Sequence, residues 1–375
     1  MTIVYFSSVF NHHSMPLCDA LNRLPGVTCY FVATREEEAQ RKTLGYHAYS
    51  RDYVINMLES EECREKAYRL AIEADVMIAG VFPYEVLKER LQRGKLTFLC
   101  QERMFKGGAN WIRRAKAWFF NVRKYSRFSR KPLYLLAIGR GTAQDYKSIG
   151  FYRKKSFCWA YFPPFIQYNV QELMDKKESN TIRILFAGRM IPLKHPEYVL
   201  RATKTLREKG YNVHLTYVGT GEMEDSLRQE AAVLGESVSF LGAMSPEQVR
   251  DEMEKANIFV FTSNSMEGWG AVVNEAMNAG CAIVAGSEPG AVKTMVVDGN
   301  NGFVYHQEDY DQFYEKLERL VKDKQLTRQL GEAAYKTIEN LYNADVAAQR
   351  FCQQVNALLN NKSICSFEEG PMQRL

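Results

Sequence analysis

The chain is short of every signal that would carry it out of a reducing, aqueous compartment. Its eight cysteines (18, 29, 63, 100, 158, 281, 352 and 365) are scattered and no two form a CxxC pair. Neither a disulfide framework nor a zinc site is therefore expected, and the thiols read as buried or free. No apolar run approaches the roughly 20 residues that span a bilayer. The first residues lack the cationic start and cleavage site of a signal peptide, so a cytoplasmic protein is expected. Both glycine-rich phosphate signatures are incomplete. Lys194 is followed by His195, and the second glycine of a Walker loop is missing; after Gly219 and Gly221, Glu224 stands where a dinucleotide fingerprint needs a third glycine. The first gap excludes a P-loop enzyme, and the second argues against a dinucleotide oxidoreductase.

What is present is a soluble-type composition spread over 375 residues, too many for one compact core and suited to two domains. The net charge of +5 hides an asymmetry. Residues 1–170 carry 27 Lys/Arg against 15 Asp/Glu, a balance of +12, whereas residues 171–375 carry 22 against 29, a balance of −7. The two halves face different partners.

Short apolar runs alternate with helical periodicity along both halves, which predicts α/β domains with parallel sheets covered by helices. In the first half strands are expected at Thr2–Ser8, Val27–Ala33, Asp75–Gly80, Leu96–Cys100 and Pro132–Ile138, with helices over 16–23, 54–73 and 84–91. Gln171 to Asn180 is polar and aperiodic and reads as the linker. The second half restarts the rhythm with strands at 182–187, 213–218, 238–241, 258–262 and 282–285. The expected layout is an N-terminal domain over 1–170, a C-terminal domain over 181–342, and a final stretch 343–375. That stretch is read as an amphipathic helix packing back toward the first domain, followed by a frayed tail.

The densest local signal is Glu267-Gly-Trp-Gly-Ala-Val-Val-Asn-Glu275. Gly268 and Gly270 let the backbone approach a ligand. The helix expected behind them, Ala271 to Ala279, points its free N–H groups and positive dipole end at the same place. Its two carboxylates, a little over two turns apart, can grip different parts of one hydroxylated, anionic ligand. The strand, loop and helix here follow in the order of a ligand crevice.

Three further strand ends carry loops. Gly188 and Arg189, with Lys194 five residues on, offer two cations to a diphosphate or form an exposed basic loop. Val218-Gly219-Thr220-Gly221 reads as a tight turn. Phe240-Leu-Gly242 precedes a helix with Ser245 as N-cap and Pro246 at its first position. In this order, across roughly residues 182–345, the four loops resemble those of retaining glycosyltransferases of the GT-B fold, the family-4 type, or glycosyl transferases group 1.

That resemblance implies two doubly wound Rossmann-like domains facing across a crevice. It implies Arg189 and Lys194 on the diphosphate of a nucleotide-sugar donor, expected to be a UDP-sugar, and Glu267 on the donor sugar. It further implies Glu275 on the ribose, Phe240 to Gly242 near the base, and retention of anomeric configuration. Trp269 stands where the family often has Phe. No metal or other cofactor is expected, because the cations take that role. No nucleic-acid motif accompanies the basic charge.

The N-terminal half departs from the family, which often has a glycine pair after the first strand. Here the loop reads Phe10-Asn11-His12-His13-Ser14, and His12 or His13 is expected to hydrogen-bond phosphate or to orient an acceptor hydroxyl. Residues 103–131 hold ten Lys/Arg and no acid. Within them Trp111, Ile112, Ala115, Trp118, Phe119 and Val122 recur at helical spacing, with Arg113, Arg114, Lys116, Arg123 and Lys124 around them. Residues 109–125 suit a helix lying on an anionic membrane surface, or one packed on the core with its basic face on the crevice.

The resulting expectation is a transferase, peripheral on the inner face of the cell membrane. It would move a sugar from a nucleotide-diphosphate donor to a glycan or lipid-linked acceptor in surface polysaccharide assembly. The alternative is a non-catalytic nucleotide-sugar-binding protein on the same scaffold.

Overall fold

The computed structural model describes residues 1–10, 12–35 and 51–375. Asn11 of the histidine loop lies outside them. The chain divides into two compact units, one built from residues up to Pro164 together with Leu341–Leu375, the other from Phe165–Asn340.

The first unit holds a seven-stranded parallel sheet: β1 (Thr2–Ser7), β2 (Thr28–Ala33), β3 (Val54–Asn56), β4 (Val76–Ala79), β5 (Leu96–Gln101), β6 (Leu133–Ile138) and β7 (Ser156–Trp159), in the order β3-β2-β1-β4-β5-β6-β7. Its strands are mostly apolar, as a sheet covered on both faces requires; all four residues of β4 are buried. The helices are α1 (Met15–Arg23), α2 (Glu61–Glu73), α3 (Tyr84–Gln92), α4 (Trp111–Tyr125) and α5 (Arg140–Ser148). The order reverses between β1 and β4, so the loops after these strands flank the switch point of the sheet.

The second unit begins with α6 (Val170–Lys176) and repeats the plan with β8 (Ile182–Ala187), β9 (Val213–Val218), β10 (Val238–Phe240), β11 (Ile258–Phe261), β12 (Ala282–Gly286) and β13 (Gly302–Tyr305), ordered β10-β9-β8-β11-β12-β13 and all parallel. Its helices continue as α7 (Pro196–Glu208), α8 (Glu224–Ala231), α9 (Pro246–Lys255), α10 (Ala271–Asn278), α11 (Gly290–Met295), α12 (Tyr310–Lys322) and α13 (Lys324–Asn340). Here the reversal falls between β8 and β11. The helix α14 (Ala344–Leu359) follows and belongs to the first unit.

Several expectations need correction. Residues 54–73 are not one helix: the β-branched start Val54–Asn56 pairs with β2, and Ser60 caps α2 by accepting from Cys63 N at 3.1 Å. The segment expected as a linker is partly the helix α6, capped by Asn169, with Leu173 and Met174 buried. Lys177 behind it is buried as well, its ammonium donating to the carbonyls of Met253 and Ala256 at 2.7 and 2.6 Å. Residues 370–375 are tied down instead of frayed. Cys158 N donates to Gln373 O, Met372 N donates to Cys158 O, and Arg374 bridges antiparallel to Phe157, leaving Met372 with 0% exposure. The strands β7 and β13 were not among those expected.

One buried cation organises the first unit. Arg90 on α3 has 0% exposure. Its guanidinium donates to the carbonyls of Ala71, Ala74, Asp75 and Leu96 and to Thr97 Oγ1, at 2.7 to 3.2 Å. All five donors of the fork are thereby satisfied by neutral oxygens at the end of α2 and the start of β5. Desolvation lowers its pKa to about 10.

Candidate functional site

The C-terminal ends of β8 and β11 bracket the switch point of the second unit, where open α/β sheets bind ligands. After β8 the chain turns through Gly188 and Arg189 into a 3-10 turn at Pro192–Lys194. His195 then takes a left-handed conformation at φ 44° before Pro196 opens α7. A bulky residue there is strained and must be held by its surroundings. Its ring nitrogens lie 2.9 Å from Glu197 Oε1 and 3.5 Å from Asn264 Nδ2.

The loop after β11 is stitched to this one. Thr262 Oγ1 donates to Lys194 O at 2.6 Å, and Asn264 N donates to Leu193 O at 2.8 Å. Asn264 O then accepts from Glu267 N at 3.0 Å. These bonds bring Glu267 Oε2 to 2.7 Å from Lys194 Nζ, both side chains mostly buried at 19% and 15% exposure. Lys194 runs along Gly188, where a Cβ would come within 3.3 Å of its Cδ. Arg189 is exposed, and among the described residues its guanidinium has no hydrogen-bond or ion-pair partner. One cation is thus fixed by a carboxylate and a neighbouring one is left open to solvent.

The other glycines explain how the loops fit. A Cβ on Gly221 would lie 2.3 Å from Met190 O, so the two loops meet backbone to backbone. Gly219 likewise abuts Gly188, and its N–H donates to Gly242 O at 2.7 Å, linking the loops after β8, β9 and β10 in series. The V-G-x-G turn is a packing device. Beyond it Phe240 stacks on Tyr217 at 4.9 Å, with the Arg228 guanidinium 4.6 Å from the Phe240 ring centre.

Gly270 has φ 89° and would place a Cβ 2.5 Å from Phe261 Cζ, so only glycine fits ahead of α10. Trp269 is buried; its Nε1–H donates to Asn274 Oδ1 at 3.2 Å, and it braces the loop from inside the unit. The carbonyls of Gly268 and Trp269 accept from Gly290 N and Ala291 N of α11 at 3.1 and 2.9 Å. Gly290 was not singled out in the sequence, although Pro289-Gly290 after a strand is a breaker signal. Neither were Thr262 and Asn264, which hold the cation and the carboxylate together. Glu275 sits in the second turn of α10. Burial pushes its carboxyl up to about 7, against the pull of Arg250. The sequence also holds an Asp-x-Asp, Asp309 to Asp311, whose first carboxylate caps α12 by accepting from Gln312 N at 2.9 Å.

In the first unit His12 and His13 follow β1 at that sheet's own switch point, their rings 3.6 Å apart. Near them Tyr161 donates to Glu102 at 2.8 Å.

Residues 170–337 match the family model described as Glycosyl transferases group 1. The matched span lies within the second unit and takes in nearly all of it. The chain is 26% identical over 191 residues to the capsular polysaccharide biosynthesis glycosyltransferase CapM of Staphylococcus aureus, covering 51% of this chain and 50% of that protein. It is 28% identical over 211 residues to a lipopolysaccharide 1,2-N-acetylglucosaminetransferase of Salmonella typhimurium, covering 53% of this chain and 54% of that one. The chain thus spans about half the length of the curated relatives it matches. The crystal structure of Anabaena HepE in complex with UDP superposes with a TM-score of 0.68 at 15% identity, over 95% of this chain and 100% of that one. The fold is the α/β GT-B fold, each unit a doubly wound parallel sheet. The group 1 match covers the four loops described above.

Proposed function

We propose that this protein transfers a sugar from a nucleoside diphosphate donor, a UDP-sugar, to a glycan or lipid-linked acceptor with retention of configuration, in surface polysaccharide assembly. The observation that carries the reading is the Lys194–Glu267 pair beside the open Arg189 at the β8/β11 switch point. An ammonium has three donors. Lys194 spends one on Glu267 and can turn others to a phosphate, which sets Glu267 next to the sugar carried by that phosphate. Arg189 supplies a second cation. Both cations and the N-terminal end of α10 stabilise the charge that develops on the departing diphosphate, so no metal is needed for this step. As the bond from the anomeric carbon to the diphosphate breaks, the acceptor oxygen bonds that carbon from the same face and its proton passes to the departing phosphate oxygen. Glu275 takes the ribose hydroxyls, and His12 or His13 orients the acceptor hydroxyl. The capsular and lipopolysaccharide relatives support the acceptor class, and the UDP-bound structure of similar fold supports the base.

The test is a thermal-shift screen of the purified chain against UDP-, GDP-, ADP- and CMP-sugars, with NAD as control. A ligand at a hundred times its dissociation constant adds about 2.7 kcal/mol of stability. A shift with UDP-sugars that disappears in Arg189→Ala and Lys194→Ala is expected. A shift with NAD alone, or with no sugar nucleotide, overturns the reading. UDP-sugar binding without turnover on any glycan or lipid-linked acceptor would favour a binding subunit.

A further inference from the structure

The first unit contains a cavity of about 500 Å³ that the donor chemistry does not use. It lies at the C-terminal ends of β4 and β5 and is roofed by α4, and its lining includes Phe82, Gln101, Phe120, Asn121, Lys124 and Tyr125. The volume is that of a small-molecule site. The sequence pattern set Lys124 among the basic residues around the apolar face of α4, on a membrane surface or toward the crevice; in the fold it lines this cavity. Its Nζ lies 4.9 to 5.9 Å from the ring centres of Tyr84, Phe120, Tyr125 and Phe82. Among the described residues this ammonium has neither a hydrogen-bond nor an ion-pair partner, and no carboxylate lines the cavity. Desolvation lowers its pKa. Aromatic faces offset part of that cost, but a partly buried charge without a counter-ion favours an anion.

The mouth of the cavity is marked by Phe120, which lines it yet keeps 57% exposure. Beside it on α4 stand Trp118 and Phe119, exposed as well. A ligand reaching Lys124 therefore passes an apolar rim before meeting the cation. Free phosphate gains nothing from such a rim, and a neutral chain gains nothing from the ammonium.

We propose that this cavity binds the phosphate-bearing end of an amphiphile, with the phosphate on Lys124 and the apolar chain along Phe82 and Phe120. Its role as an acceptor subsite rests on the transferase reading; the binding itself does not, and the experiment is run without sugar donor so that the two fail separately. The full chain is titrated calorimetrically with dodecyl phosphate below its micellar concentration, with inorganic phosphate, and with dodecyl maltoside. One dodecyl phosphate per chain is expected, bound more tightly than either control. Lys124→Gln should weaken it about tenfold or more, the scale of a lost hydrogen bond to a charged group. Ala117→Phe, which fills the cavity from α4, should weaken it too and serves if the lysine variant does not fold. Equal binding of inorganic phosphate overturns the amphiphile, and equal binding of the maltoside overturns the phosphate contact. An equal loss in Lys116→Gln, on the outer side of α4, reduces the binding to adsorption on a basic helix and overturns the site.

Discussion

A Cβ added to Gly219 would lie 2.2 Å from the carbonyl oxygen of Gly188. The turn after β9 is therefore the mould against which the cation-bearing loop is cast. Gly219 also has φ 119°, so substitution meets both a backbone clash and a disfavoured conformation. Gly219→Ala is expected to destabilise by about 3 kcal/mol and to displace Gly188 and with it Lys194. The check pairs a denaturation curve with the UDP-sugar thermal shift: both should fall, whereas Gly210→Ala, with open space around its Cβ, should spare the UDP response.

The raised carboxyl of Glu275 makes a signed prediction. Its folded pKa of about 7 lies above the ordinary 4.5, so the native state holds the proton longer than the unfolded chain does. Stability on this account is greatest below about pH 4.5 and falls as pH rises to about 7, after which it is flat. Glu275→Gln should thus raise the melting temperature at pH 8 and change little near pH 4.5. The gain is bounded by roughly 3 kcal/mol at 1.36 kcal/mol per pKa unit. If Glu275 also grips the ribose, the same variant binds UDP-sugars less well at pH 8. A substitution that stabilises while weakening binding is the mark of a residue kept for function.

Each unit contains a buried cation closing the C-terminal end of a helix, Arg90 for α2 and Lys177 for α9. Replacing either strands carbonyls that water cannot reach, at about 1–3 kcal/mol each. Arg90→Met and Lys177→Met should each lower the denaturation midpoint by the equivalent of about 3 kcal/mol or more. Arg90→Lys should recover only part of the loss, because an ammonium cannot span five acceptors. Full stability of Arg90→Met would show that these bonds contribute nothing net.

The helix α4 is the most apolar exposed element among the described residues. Trp111 is 76% exposed and Phe119 60%, with Ile112, Trp118 and Phe120 exposed alongside basic neighbours. None of the described helices is long and apolar enough to cross a membrane. Association with the surface of anionic vesicles is expected at low salt, with release near 1 M salt, where the Debye length is about 3 Å. Flotation with Trp118→Ser and Phe119→Ser should show loss of binding; unchanged flotation would assign the interaction to charge elsewhere.

The alternating pattern was readable because parallel strands buried on both faces leave apolar blocks such as Val76–Ala79 and Ile258–Phe261, and a period change marks each helix. The Gly188, Gly219 and Gly270 loops were readable for a related reason: a Cβ there would meet the Lys194 side chain, the Gly188 carbonyl and the Phe261 ring, whereas Gly242 has open space and is set apart by its φ of 71°. The β3 strand was lost inside an expected helix because three residues carry no periodicity, and α6 was lost because seven polar-faced residues resemble a linker. Thr262 and Asn264 escaped notice since their task is to bond the backbone of a loop some 70 positions earlier. The inward turn of Lys124 was hidden for the same kind of reason, as spacing ranks a lysine by helix face and not by what lies beneath the helix.

The antiparallel bridge between Arg374 and Phe157 has a consequence for the order of assembly. The first unit takes its outer sheet edge and its last helix from Leu341–Leu375, on the far side in sequence from the whole second unit. A ribosome therefore releases all of the second unit's strands before the first unit, whose seven strands are already out, has its last helix and the segment that bridges β7. The second unit can close as a contiguous block, while the partner unit waits, its β7 edge unpaired and its Cys158 and Phe157 uncovered, until the final residues emerge. Nascent chains stalled before residue 341 should be the ones that holdase chaperones capture.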